Sequence, residues 1–195
     1  MCLTDSQLDG AFIFLCISGK RKSGKGKICE PLKKEFADVN GLNFFDLIGD
    51  GKAKELVRKE MIEFGEKLRR SDYGIFCRKA FKERKFQQQL NSIITNNSTK
   101  FKEIILVSDC RRPTDIQFFI NNFKNSKIIC IRINCLLEIR QKRGFVFIEG
   151  IDNEESECSL DNFEKFDFYL NNNNNENEQE NIELKNIINY LKLII

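Results

Sequence analysis

Ala11-Phe-Ile-Phe-Leu-Cys-Ile-Ser18 runs straight into Gly19-Lys-Arg-Lys-Ser-Gly24-Lys25, and this junction sets the fold. The apolar run has no polar face, as a strand buried on both sides within a parallel sheet requires. The loop after it has the spacing G-x-x-x-x-G-K. In that pattern the glycines let backbone N–H groups turn inward around phosphate oxygens, and the lysine reaches the outer phosphates. Lys20, Arg21 and Lys22 put three more cations inside the loop, with Ser23 next to Gly24, so an anion is the expected occupant. A solvated basic turn after an edge strand is the alternative. The strand context that the motif needs favours the phosphate loop.

The 195 residues suit a single α/β domain, 1–195, carrying at most a small lid. A net charge of +3 makes no case for nucleic acid, which is not expected as a partner. The apolar stretch near the start is short, lacks a basic beginning and continues into the loop, so it does not read as a signal peptide. No other stretch is long enough to span a bilayer, and a cytosolic monomer is expected. The eight cysteines include no C-x-x-C pair, and several lie in apolar runs, which points to reduced, buried thiols rather than zinc or disulfides. The sequence has no histidine, which excludes a Ser-His-Asp triad, a Cys-His dyad and an H-E-x-x-H site. Phosphoryl transfer survives that exclusion, because it rests on positioning and on cations around the phosphate.

Downstream of the loop the pattern is unusual. A phosphate loop should open a long helix leading to a second parallel strand, but Gly26-Lys-Ile-Cys-Glu30 meets Pro31. Proline breaks or kinks a helix interior, and it also suits the first position of a new helix, here through Leu32, Lys33 and Phe36. No β-branched run comparable to 11–17 appears before residue 103, so one strand of the usual fold is expected to be missing or displaced; Phe44–Ile48 fits a helical turn as well as a strand. Residues 52–70 show helical spacing, with Ala53, Val57, Met61, Phe64 and Leu68 as the buried stripe. Lys54, Arg58 and Arg69 fall in a wedge of roughly 60° on another side, either a solvated face or a surface for an acidic phosphorylated substrate. Asp72-Tyr-Gly74 is a turn, and Arg78 lies on the helix that follows it. Residues 83–102 are a polar loop.

Glu103–Ser108 is the next strand, ending in Asp109-Cys-Arg-Arg112-Pro113 where α/β sheets place their ligands. Asp109 can hold a magnesium-bound water or orient the accepting oxygen, and Arg111 and Arg112 can clamp phosphoryl oxygens. A structural Asp–Arg pair in a turn is the alternative. A helix over 114–123, a strand over 127–133 and a short helix over 136–143 follow, the last with Arg140 and Arg143 on one side and Gly144 as its cap. The acidic stretch 149–165 reads as a solvated loop or, with 134–160 as a whole, as a lid whose arginines close on the phosphate. Phe166–Leu170 is a fourth strand, 171–180 a low-complexity loose connection, and 180–195 a C-terminal helix that covers the sheet. The fold class is therefore a P-loop NTPase-like α/β sandwich of three layers, with about four mainly parallel strands.

Several of these stretches together resemble the animal-type phosphomevalonate kinases. They are Ser18–Lys25, Gly41–Phe44, Phe76–Lys79, Val107–Arg112 with Asp115–Gln117, Arg143–Phe147, and Glu155–Cys158 with Leu160–Phe163. They occur in the family's order and cover most of 12–172, which makes them far more specific than a bare phosphate loop. The resemblance implies a fold like that of nucleoside monophosphate kinases and transfer of the ATP γ-phosphate to 5-phosphomevalonate, with Mg2+. It implies that Lys20–Gly26 cradle ATP, that Lys25 bridges to the moving phosphate with Lys22, and that Arg143 of the lid and Asn173 also contact the nucleotide. Lys33, Lys54, Arg58, Arg69, Arg78, Arg111, Arg112 and Asn172 would surround the substrate, with Asp109 reaching metal only through water. The chain departs from the family pattern in three places. Gly26 stands where the family usually has aspartate, most of a helix and a strand are lacking between Lys25 and Pro31, and 83–102 is inserted. Two rival readings stay open: a kinase for another small monophosphate, and a non-catalytic nucleotide- or partner-binding homologue.

Overall fold

Alternation along the first strand builds both cores. The computed structural model describes residues 12–23, 30–48, 55–81, 103–173 and 182–194. Strand β1 (Phe12–Gly19) pairs in parallel with β2 (Glu103–Val107) on one side and β3 (Lys127–Asn134) on the other, and β3 carries β4 (Phe168–Asn171), also parallel. The order is β2-β1-β3-β4. Successive side chains of a strand point to opposite faces. Phe14 and Cys16 enter the core with Ile105, Cys130, Phe119 and Phe123, while Ile13 packs on the other face with Ile129, Ile131 and Ile187. The first core is largely aromatic: Phe14 lies 4.7 Å from both Phe119 and Phe123, centroid to centroid. Offset and edge-on rings of this kind add to plain area burial.

Helices cover both faces, giving the three expected layers. Helical residues 75–81 and α4 (Pro113–Asn122) lie over the Phe14 side. The C-terminal helix α7 (Ile182–Ile194) covers the Ile13 side through Ile187, Tyr190, Leu191 and Ile194. A satellite core joins α1 (Glu30–Asn40), α2 (Phe44–Ile48) and α3 (Arg58–Ser71) through Phe36, Ala37, Leu47 and Met61. Pro31 falls in the first turn of α1, the one part of a helix where its missing N–H costs nothing. Two short helices, α5 (Leu137–Lys142) and α6 (Glu155–Cys158), complete the set.

Some boundaries differ from expectation. The last strand starts at Phe168 rather than Phe166 and runs to Asn171. The helix expected over 52–70 is interrupted by a turn at Val57, and Phe44–Ile48 is helical. Within the acidic stretch 149–165, Glu155–Cys158 makes one helical turn rather than loop. Among the described residues β2 has one strand partner and is an edge, leaving Ile104 and Leu106 at 40% and 52% exposure. The short helix expected after Gly24, the insertion at 83–102 and residues 174–181 lie outside the described residues.

Candidate active site

The four parallel strands end on one side, and the loops that leave them converge there. β1 delivers the phosphate loop. Its bend is tight: the Ser23 N–H donates to the Lys20 carbonyl at 3.1 Å, and Lys22 takes a left-handed backbone with φ of 63°. A Cβ at Gly19 would stand 2.5 Å from Ser23 Oγ and 3.0 Å from the Ile133 carbonyl, so glycine is what lets the loop fold back onto β3. Gly19→Ala should therefore lower the thermal midpoint by on the order of 5 °C, because the added Cβ overpacks the bend against the β3 backbone. Thermal denaturation would check it; an unchanged midpoint would mean the bend can relax. From the end of β4, Asn172 Nδ2 donates to the Ser23 carbonyl at 2.9 Å. Ser23 is buried, and its Oγ has no hydrogen-bond partner among the described residues. Gly24, Lys25 and Gly26 lie outside those residues.

β2 delivers Asp109, Arg111 and Arg112. The Cys110 N–H donates to the Ile17 carbonyl at 2.9 Å, tying this loop beside the first. Arg111 Nε donates to Asp109 at 2.9 Å, so the structural Asp–Arg pair is present. Its other arm bonds the Glu157 carboxylate, and both carboxylates are deeply buried. Asp115 caps α4: one oxygen accepts the Arg111 and Arg112 N–H groups at 3.0 and 3.1 Å, and the other accepts Arg69 Nη1 at 2.6 Å. Arg112 turns to Glu66 of α3.

From beyond β3 comes an acidic strap, residues 152–161, which answers these cations. Lys20 Nζ bonds Asp161 and, at 2.9 Å, the Glu157 carbonyl. Arg21 bonds Asp152 at 2.9 Å. Arg132, beside Ser18 in the β1–β3 register, bridges Ser18 Oγ and Asp161 at 2.9 and 2.8 Å. Of the two arginines on the expected lid, Arg140 Nε donates to the Arg21 carbonyl at 2.8 Å, and Arg143 lies 3.3 Å from Asn172 Oδ1. Asn173 Oδ1 accepts the Leu136 N–H at 2.7 Å. The start of the asparagine run, expected as a loose connection, therefore fixes the phosphate loop and the entry to α5.

One network thus joins Arg69, Asp115, Arg111, Glu157, Lys20, Asp161 and Arg132. Among the described residues three other candidates are not joined to it. Arg78 bonds Asp72 and lies 5.7 Å from the Phe118 ring centroid. That hydrogen bond holds the Asp72 carboxyl below its usual range, so the pair stabilises the fold above pH ~4 and loses this as pH falls through the lowered value. Arg58 bonds Glu55 within its own segment. Lys33 is buried on α1, and Lys54 lies outside the described residues. Sequence reasoning missed the acidic partners Glu66, Asp152, Glu157 and Asp161. It also gave Asp115 no role, although an acid three residues into a helix opening at Arg112-Pro113 is a capping signal.

A cavity of about 220 Å³ lies alongside β2, lined by the charged Arg69, Asp109, Arg111 and Asp115 together with Phe76, Phe81 and Phe119. Burial pushes Cys77 well up and Cys130 to about 12; the hydrogen bond with Cys16, then burial, raises Cys110.

A parallel sheet whose central strand feeds a glycine-rich loop, with basic side chains gathered at its carboxyl edge, is the architecture of the P-loop kinases. The model of the phosphomevalonate kinase family matches residues 26–125. The chain is also 37% identical over 174 residues to a phosphomevalonate kinase of Drosophila melanogaster, a match spanning 80% of this chain and 86% of that protein. It belongs to the phosphomevalonate kinase family.

Proposed function

We propose that this protein transfers the γ-phosphate of ATP to the phosphate of 5-phosphomevalonate, giving 5-diphosphomevalonate and ADP on the route to isoprenoids and sterols. The observation that carries it is the 37% identity to a phosphomevalonate kinase across four-fifths of the chain, supported by the cationic carboxyl edge of the sheet. A phosphate oxygen of the substrate attacks in line, and no protein nucleophile takes part. The backbone of Lys20–Gly26, with Arg143 and Asn173, holds ATP. Lys22 and Lys25 follow the moving phosphate, with Asp109, Arg111 and Arg112 fixing the edge on which it moves. Lys33, Lys54, Arg58, Arg69, Arg78 and Asn172 belong to the substrate side, and 134–160 forms the lid.

Magnesium fits as a companion of the nucleotide rather than as a resident of the protein. Among the described residues no group of three acidic, thiol or imidazole side chains could hold an ion, and Gly26 offers no hydroxyl. Mg2+ commonly keeps several waters and binds through substrate phosphates. When bound it would neutralise charge on the phosphates, and Asp109 would reach it only through water. No helix among the described residues is long and apolar enough to cross a membrane, and the enzyme is proposed to act as a cytosolic monomer.

The test is ADP release by the purified chain with ATP, Mg2+ and a panel of monophosphates. Release that depends on 5-phosphomevalonate is expected. Release with a nucleoside monophosphate instead would reassign the substrate, and release with none would mark a non-catalytic homologue.

A further inference from the structure

The bend of the phosphate loop is gripped from outside by residues 145–152. Arg21 Nη2 donates to Asp152 at 2.9 Å and to the Val146 carbonyl at 2.6 Å. The buried Phe145 ring lies 5.2 Å from the Arg21 guanidinium and 3.9 Å from that of Arg140. Arg140 in turn holds the Arg21 carbonyl. Asp152 also accepts the Ile148 N–H at 2.8 Å, closing the turn that presents Val146 and Phe145. Its side chain is only 6% exposed and that of Arg21 only 16%, so neither charge exchanges its partner for water without cost.

What this grip stabilises is the next residue. Lys22 sits in a left-handed backbone, which a non-glycine residue keeps only where its surroundings fix it. On one side Arg21 is held by side chain and carbonyl; on the other, Ser23 is held through its N–H and its carbonyl. Asp152 lies outside the loop and presents its carboxylate to Arg21 and to the Ile148 N–H.

We infer that Asp152, acting with Phe145, is a positioning residue for the phosphate loop, setting the Lys20–Ser23 backbone for the nucleotide without touching it. The inference rests on the reading that this loop takes ATP. A carboxylate that merely occupied the anion's place would have the opposite effect, since its removal would tighten nucleotide binding.

The experiment is calorimetric titration of the full chain with ADP, alongside steady-state kinetics. Asp152→Asn should weaken ADP binding and raise the KM for ATP by about tenfold, with the KM for 5-phosphomevalonate within about twofold. Arg21→Met should do the same, and the double variant should be no worse than the weaker single one, as two halves of one device require. ADP binding as tight as or tighter than in the unaltered chain, or losses that add, would overturn the inference. Should Asp152→Asn fail to fold, Phe145→Leu takes its place: weaker ADP binding supports the grip and unchanged binding counts against it. An unaltered chain that binds ADP but leaves 5-phosphomevalonate untouched would reject the proposed activity alone, and one that binds no ADP would reject both.

Discussion

Arg111→Met is expected to lower the thermal midpoint by on the order of 10 °C. The guanidinium is shared between Asp109 and Glu157, whose side chains are 6% and 4% exposed. Removing it leaves two buried carboxylates without the counter-charge they share. Breaking a buried pair from one side costs about 3–5 kcal/mol, and each kcal/mol shifts the midpoint of a chain this long by about 2–4 °C. Neutralising the partners as well, with Asp109→Asn and Glu157→Gln in the same chain, should recover most of the loss. Differential scanning calorimetry decides it. A midpoint within a degree or two of the unaltered protein would mean that water reaches these carboxylates, and that Arg111 is free to serve phosphate rather than hold the site together.

The second large effect belongs to Lys25. Lys25→Met should reduce kcat by about a thousandfold while leaving the thermal midpoint unchanged. The proposed role of this ammonium is to follow charge on the transferring phosphate, and losing one such electrostatic contact typically costs that much. Single-turnover measurement at saturating ATP separates this from weaker binding. Retained turnover would remove the phosphate loop from the chemistry.

Much of the fold is legible in the sequence for a physical reason. Strands buried on both faces must be largely apolar, and Phe12–Ile17 and Ile128–Ile131 therefore stand out from helical and loop segments. The cations of the site are legible too, because Lys20, Arg21, Arg111 and Arg112 sit in the two loops that leave strand ends. Their partners are not. Glu157 lies 137 residues from Lys20, and nothing local separates an acidic loop that folds over a site from one that faces water. Asn172 shows the converse: a run of asparagines reads as featureless, yet its second member holds the Ser23 carbonyl. The break at Val57 was hidden by a stripe of apolar residues that continues through it.

The acidic strap also changes how the basic residues are understood. Lys20, Arg21, Arg111 and Arg112 each have a carboxylate partner, so the electropositive edge is largely balanced internally. Charge balanced in place keeps donors oriented before a ligand arrives, which is what electrostatic preorganisation asks of a site.

The most direct measurement is the 31P spectrum of the purified chain incubated with ATP, Mg2+ and 5-phosphomevalonate. Phosphoryl transfer between phosphates predicts loss of the substrate's monoester resonance, growth of a coupled pair of diphosphate resonances and an equal amount of ADP. A monoester signal that persists, with ATP intact or broken down only to ADP and inorganic phosphate, would contradict it.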